Sequence, residues 1–500
     1  MASLKKLAGQ TMWYGVSTIA ARMLTFLLTP YLTYTLKGSA GQYVFGQNTY
    51  IYTIFPILNV LYTYGMETAY FRFSTSENEE KLYRTQMTSM LITTLFFSSI
   101  FFLFSGQISE LMQLDNTTYL GWFASIIALD AMSALPYAKL RRENRPRKYA
   151  ATKVMGIIAY VVTIVFLFTF GDEIAASMPD SFFATWYHKH WGIGFILFAN
   201  LLQAAVTLSL LLKELLTYRF ELDPKLLKRI LLYSWPILIS GFAGQINDNI
   251  NRSMYMHLYK GDTKEAMRIT GFYGAAIRLS VFIQLGVQAF KMAAEPFFFS
   301  IAGDKDAKPT YARVMKWFVV ILALMFLNVM LFLDIWKYFV GPEYRSQFNL
   351  VPILLLANIF IGIYYNLTVW YKLTDKTNFG AYIMLVGASV TVIFNWIFIP
   401  FWGYTACAWG LLLCNGSMMY LSFMWGQKYY PIPYEVGKMA KYLGVMLLLY
   451  GVQALISRYV DVAAIRIASG TVLFAGYMFY IFKQEQKELK SFPFIGKYVR

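Results

Sequence analysis

Long stretches of this chain carry no charged residue, among them Leu91 to Phe104, Val154 to Phe170, Phe318 to Leu333 and Tyr442 to Leu455. Extended by their flanks to about 20 residues, such runs cross a hydrocarbon core of roughly 30 Å as helices. No water is available there, so every backbone N–H and C=O must be satisfied inside the chain, which a helix does by itself. The pattern continues along the 500 residues as fourteen spans, at about 11–34, 44–70, 87–105, 118–138, 151–170, 191–212, 231–257, 267–297, 316–335, 349–371, 378–400, 403–426, 440–457 and 464–482. The expected fold is therefore an all-α membrane protein. Only 14% of the residues are charged, against about 25% in soluble domains.

The net charge of +17 would suggest nucleic acid in a soluble protein. Here the positive-inside rule accounts for it. With the N-terminus inside, 31 of the 44 Lys and Arg fall in cytoplasmic segments, seven of them in the single stretch from Lys139 to Lys153, and 9 fall in outer ones. That asymmetry places both termini in the cytoplasm. No small-residue cleavage site ends the first apolar segment, so it reads as a membrane helix and not as a signal peptide. Cys407 and Cys414 share one apolar span and read as packing residues. The longest connection, Gly171 to His190, is aromatic and suits an interfacial helix. No phosphate-binding G-x-x-x-x-G-K-[ST] loop is present, which argues against ATP-driven work by this chain alone.

A weak internal repeat runs through the first twelve spans. Arg22 precedes Gly41-Gln42-Tyr43 by nineteen residues, and Arg252 precedes Gly271-Phe272-Tyr273 by the same nineteen. Met66-Glu67-Thr68-Ala69 aligns with Met292-Ala293-Ala294-Glu295. Spans one and seven run in the same direction, so the repeat is parallel. The expected organisation is two six-helix lobes, 1–218 and 219–437, followed by two additional helices and a tail over 438–500.

Charges within spans are costly, roughly 2.5–3.5 kcal/mol each on insertion scales, and their retention points to function. Span one carries Gly15, Thr18, Arg22, Thr25 and Thr29 at helical spacing. Span two carries Asn59, Thr63 and Glu67, and span seven Asp248 and Arg252 among several asparagines. Span eight carries Arg278, Gln284, Gln288, Lys291 and Glu295 along one face. If these hairpins face each other, they line a mostly cationic cavity. Such a cavity selects anions, and the Arg fork suits phosphate oxygens. The candidate substrate-binding residues are Arg22, Arg252, Arg278, Gln284, Gln288 and Lys291. The candidate ion-coupling acids are Glu67, Asp248, Glu295 and Asp130 of span four, with H+ or Na+ as the coupling ion and no other cofactor. Structural readings stand beside these. Asp248–Arg252 and Lys291–Glu295 are both i, i+4 and can neutralise each other. Lys291 can snorkel, and Asp130 can pair with Arg141 or Arg142. His188 and His190 are too few for a metal site. No catalytic triad or paired carboxylate stands out, so an enzyme is not expected.

The stretches Gly41-Gln42-Tyr43-Val44-Phe45 through Tyr64-Gly65-Met66-Glu67-Thr68-Ala69, and Tyr233-Ser234-Trp235-Pro236 through Gly271-Phe272-Tyr273-Gly274-Ala275-Ala276, resemble the polysaccharide-exporter (O-antigen flippase) family. That family belongs to the multidrug/oligosaccharidyl-lipid/polysaccharide superfamily. The resemblance implies alternating access between two six-helix lobes, with Arg22 and Arg278 matching the cavity cations of flippases. It implies a transporter of polyprenyl-pyrophosphate-linked oligosaccharide in a bacterial plasma membrane. Its partners would be membrane lipid, the lipid-linked substrate, and a glycan polymerase or glycosyltransferases, with no nucleic acid. The alternative is a multidrug or organic-cation antiporter of the same superfamily. Those extruders depend on acids in spans one and ten, where this chain has Arg22 and no acid. A non-transporting scaffold for glycan enzymes would have no use for charge at mid-bilayer.

Overall fold

The structure, a computed structural model, describes residues 20, 22–112, 116–216 and 219–489. All regular structure among them is helical. Fourteen long helices follow the predicted spans in order. They are α1 (22–35), α2 (Gly38–Thr63), α3 (Glu79–Leu103), α4 (Thr117–Arg142), α5 (Pro146–Thr169), α6 (Ile193–Leu210) and α7 (Pro224–Leu258). The rest are α8 (Thr263–Ser300), α9 (Ala307–Leu331), α10 (Val351–Leu367), α11 (Asn378–Trp402), α12 (Tyr404–Tyr429), α13 (Val436–Tyr459) and α14 (Ala463–Leu489). Twelve of these regions, from α3 onward, are long and apolar enough to cross a membrane. Helix α2 has the length, at 26 residues, but buries Gln42, Gln47, Asn48, Thr49 and Thr53. Its low hydropathy is that of a polar helix packed among others. Gly15 and Thr18 of the first span, with Lys5 and Lys6, lie outside the described residues. The chain is thus a multi-pass, all-α membrane protein.

It forms two compact units, divided in sequence within α8 after Gly271. In the first unit α6 packs on α5 and α4, α3 packs on α4, and α7 packs on α2. Helix α2 also meets the first turns of α8 closely. A Cβ on Gly46 would sit 1.9 Å from the Met267 carbonyl oxygen, so only glycine permits this backbone approach. Beside it the Gln42 amide oxygen accepts from Arg268 at 3.1 and 2.7 Å. Helix α2 ends at Tyr64 and Gly65, both at positive φ (28° and 75°). Gly65 takes the left-handed conformation at little cost, and the chain restarts as the short helix Met66–Phe73.

In the second unit α12 packs on α10 and α11, while α9 carries α10, α13 and α14. The two helices beyond the repeat are clamped to α9 at both ends. At one end Lys316, wholly buried, reaches Glu485 and Glu488 at 2.7 Å each and Glu435 at 3.2 Å. At the other, Arg466 donates to both Asp334 oxygens at 2.6 and 2.8 Å.

These ion pairs respect the alternation read from charge. Lys316, Glu435, Glu485 and Glu488 come from segments or helix ends assigned to one side, and Arg466, Asp334 and Lys337 from the other. In the first unit Lys81 meets Asp223 at 2.6 Å, Arg84 meets Glu221 at 3.1 Å and Arg229 meets Glu77 at 2.6 Å. Glu214, only 2% exposed, is held by Arg145 at 2.8 Å and Lys148 at 2.6 Å. Burial pushes the Glu214 carboxyl up, but hydrogen bonds from Lys148 and the backbone, with the charges of Lys148 and Arg145, outweigh it and hold it below its ordinary value. The Gly171–His190 connection contains two short helices, Gly171–Ser177 and Phe182–His190, where one interfacial helix was expected. The second is fixed by Trp186 stacked on Phe195 at 5.8 Å. Cys407 and Cys414 are both buried and not disulfide-bonded.

Candidate functional site

The candidate residues fall in both units. In the first unit Arg22 is exposed near the start of the described part of α1. On α7, Pro224 at the first turn and Asp223 at the N-cap start the helix; the Asp223 carboxylate accepts from the Lys225 and Leu226 backbone N–H groups at 2.8 and 3.1 Å. Seven turns later comes a polar relay. Gln245 Oε1 accepts from Asn249 Nδ2 at 3.0 Å, and Asn249 Oδ1 accepts from Arg252 at 3.0 Å. Arg252 also donates to the Asp248 carbonyl at 3.3 Å. The amide of Asn249 and a backbone carbonyl therefore orient the guanidinium, a contact the i, i+4 spacing of Asp248 and Arg252 did not suggest. Asp248 itself is exposed.

Glu67 follows the Tyr64–Gly65 turn on the short helix and is ion-paired with Arg141, in the last turn of α4. Arg141 also lies over the Phe71 ring at 4.8 Å. In sequence Glu67 has no cation within four residues; the fold supplies one 74 positions away. Asp130, near the middle of α4, is half-buried and makes no hydrogen bond or ion pair among the described residues. The proposed alternative partners are engaged elsewhere, Arg141 with Glu67 and Arg142 with the Ser74 carbonyl at 3.4 Å.

In the second unit Gln284 donates to Asn358 Oδ1 of α10 at 3.1 Å, and Asn358 donates in turn to the Ser280 carbonyl at 3.2 Å. Lys291 stands 4.4 Å from the centroid of the Tyr365 ring. Glu295 is met by Lys372 at 2.7 Å, from the short helix Val369–Leu373. The sequence spacing offered Lys291 as the partner of Glu295; the structure gives Lys372 that role. Arg278 and Gln288 are half-buried on the same helix. Sequence reasoning noted Asn249 beside the stripe but not its hold on Arg252, and missed Asn358 and Lys372. The i, i+3 spacing of Asn249 to Arg252 was a usable signal, whereas Asn358 and Lys372 come from other helices.

Two of the four candidate acids are thus engaged by cations that lie off the polar stripes. On the stripes of α1, α7 and α8 the charged residues are Arg22, Arg252, Arg278 and Lys291 against Asp248 and Glu295. Their formal charge is positive.

Residues 7–302 match the family described as "Polysaccharide biosynthesis protein". The chain belongs to that family. Among solved structures it is similar to a "Lipid II flippase MurJ, inward closed conformation", with a TM-score of 0.70 and 13% identity, covering 94% of this chain and 99% of that one. It is also similar to an inward-facing multidrug-resistance MATE transporter of the MOP superfamily (TM-score 0.59, 14% identity, 86% and 96% covered). A Vibrio cholerae MATE transporter, VcmN, in its bent form matches with a TM-score of 0.54 at 13% identity, with 85% and 96% covered. At these identities the structural likeness establishes the fold alone, one shared with these transporters. No curated protein sequence matches significantly.

Proposed function

We propose that this protein is a flippase that moves a polyprenyl-pyrophosphate-linked oligosaccharide from the cytoplasmic to the outer face of a bacterial plasma membrane, with both termini in the cytoplasm. The observation that carries the reading is the positive excess of the membrane-embedded stripes in a member of a polysaccharide biosynthesis family. A pyrophosphate between a lipid tail and a glycan needs cations at membrane depth. Arg22, Arg252, Arg278 and Lys291 are its anion-recognising residues, and Gln284 and Gln288, with the α7 asparagines, serve the glycan. The lobes 1–218 and 219–437 alternate, with 438–500 fixed to the second by the α9 clamps. The protein acts as a transporter without catalytic chemistry. A glycan polymerase and glycosyltransferases are its functional neighbours.

Asp130 is the foremost coupling acid. A carboxylate within a membrane helix is expensive and finds its use in ion or proton pathways. Glu67 and Glu295 are held in ion pairs, which leaves them less suited to exchange a cation, and Asp248 sits beside Arg252. Moving one charge across about 100 mV supplies roughly 2.3 kcal/mol, so an incoming H+ or Na+ adds to a potential that already drives the anion outward.

The test is reconstitution in liposomes with a lipid-linked oligosaccharide whose glycan is scored by an impermeant lectin. Translocation that depends on the protein and on an imposed H+ or Na+ gradient, with the gradient dependence lost in Asp130→Asn, is the expected outcome. Uptake of organic cations without movement of the glycan lipid would overturn the flippase reading in favour of the antiporter. Translocation indifferent to every gradient would remove Asp130 from the mechanism.

A further inference from the structure

The first unit contains a cavity of about 500 Å³ that none of the candidate substrate-binding or ion-coupling residues lines. Its walls are Leu61 of α2, Ile92 and Phe97 of α3, and Leu227, Leu231 and Trp235 of α7. Its polar lining satisfies itself, since Tyr64 and Ser89 hydroxyls lie 2.8 Å apart and Thr93 donates to Tyr64 at 3.4 Å. With no polar demand left over, the cavity has nothing to offer a sugar or a phosphate and favours hydrocarbon. Its rim is open: Ile92 is 46%, Leu231 42% and Trp235 62% exposed. On α7, Lys228 lies three residues before Leu231 and seven before Trp235, on one helix face. Lys228 is exposed and belongs to no ion pair among the described residues. It sits one turn closer than Leu231 to the end of α7 that bears Lys225 and Asp223, the side on which the basic segments gather. The order along that face is cation, then slot, which is the order of an anionic head and an apolar tail.

We propose that this cavity is a docking site for the head-proximal isoprene units of the polyprenyl carrier, with Lys228 over its phosphate. The proposal rests on the flippase reading and adds the tail's place in it. Size admits a single hydrocarbon chain. A cavity of roughly 150 Å³ takes a six-carbon ring, so 500 Å³ takes on the order of 20 carbons. That is one chain of four isoprene units. The two acyl chains of a phospholipid would not fit together. The walls come from the last turns of α2, the middle of α3 and the first turns of α7, and the end of α7 that charge assigns to the cytoplasm is where the substrate is collected before its head group crosses.

The experiment uses the full chain in liposomes of phosphatidylethanolamine and phosphatidylglycerol. The probes are a polyprenyl phosphate with a diazirine in its third isoprene unit and, separately, a diazirine phosphatidylglycerol. Adducts of the polyprenyl probe are expected on the peptides holding Ile92–Phe97 and Leu227–Trp235. Thr93→Trp and Leu231→Trp fill the slot, and each is expected to cut that labelling about tenfold, the equivalent of about 1.4 kcal/mol in affinity. Lys228→Glu, which leaves the walls intact, is expected to cut labelling by the phosphate-bearing probe while the melting temperature stays that of the wild type. Polyprenyl adducts elsewhere, undiminished in the filled variants, would overturn the proposal. So would equal labelling of the same peptides by phosphatidylglycerol, which would make the occupant bulk lipid. Wild-type protein that translocates the glycan lipid without labelling here refutes the docking site alone. Labelling here without any translocation supports the site and refutes the flippase reading.

Discussion

Replacing Lys316 with Met removes the one ammonium that joins α9 to α14 and to the start of α13. Lys316 is 0% exposed, and its most buried partner, Glu485, is 3% exposed. Glu485 also accepts from the Tyr442 hydroxyl. Its other cation, Lys438, is 3.8 Å away and half-exposed. Removing one member of a buried pair leaves the other charge uncompensated and costs about 3–5 kcal/mol. Glu488 and Glu435 are 30% and 36% exposed, so water screens them and they add little. The expected cost is therefore near the lower limit, about 3 kcal/mol, and comes almost wholly from stranding Glu485. Lys316→Met with Glu485→Gln removes both charges and is expected to recover at least about 1 kcal/mol relative to Lys316→Met alone, the signature of a coupled pair. The assay is denaturant unfolding of the detergent-solubilised protein for wild type, both single variants and the double variant. A Lys316→Met protein as stable as wild type, or a double variant less stable than Lys316→Met, would refute the reasoning.

Three further outcomes are expected. Glu67 and Arg141 are 44% and 31% exposed, so Glu67→Gln is expected to cost less than about 1 kcal/mol of stability and to leave gradient-driven transport intact, as measured in the liposome assay. The hydrogen bond from Lys81, then that from the Leu226 backbone, hold the Asp223 carboxyl at about 2, below its ordinary 3.8. A depressed carboxylate stabilises fully above its unfolded value and stops doing so as pH falls through its folded one; the melting difference between wild type and Asp223→Asn, which keeps the cap, should be constant from about pH 5 to 8 and close between about pH 4 and pH 2. Single cysteines at Ser39 or Asp262 should react with an impermeant thiol reagent applied outside, and those at Asn144 or Lys487 should not.

The spans were legible because a bilayer imposes a length and a polarity on each helix. Leu91 to Phe104 and Phe318 to Leu333 had no other fold open to them, and α3 and α9 run through them. Charge sorted the connecting segments into two sets, and Lys316 with Glu435 and Glu485 are residues of one set that meet. Partner choice was not legible. Spacing offered Lys291 to Glu295, yet Lys372 makes that contact, and Asn249 joins the Asp248 carbonyl in holding Arg252. A single helix shows its own face, and its partners come from helices whose packing no local pattern encodes. The break at Tyr64 and Gly65 sets Glu67 on a new helix beside Arg141, and a periodicity count carried straight through it misses the pair. Asp130 went the other way: the sequence offered it two arginines, and the fold uses both elsewhere.

The central claim is that embedded arginines recognise the anionic head of a lipid-linked sugar. The most direct measurement is the initial rate of glycan-lipid translocation in liposomes for Arg252→Ala, Arg278→Ala and the corresponding Lys variants, at matched reconstitution. A charge-assisted hydrogen bond is worth about 1.5–3 kcal/mol, so each Ala variant is predicted to lose at least about tenfold in rate. The Lys variants should recover only part of it, because a point charge lacks the guanidinium fork. Ala variants that translocate the lipid-linked oligosaccharide at the wild-type rate would contradict the account.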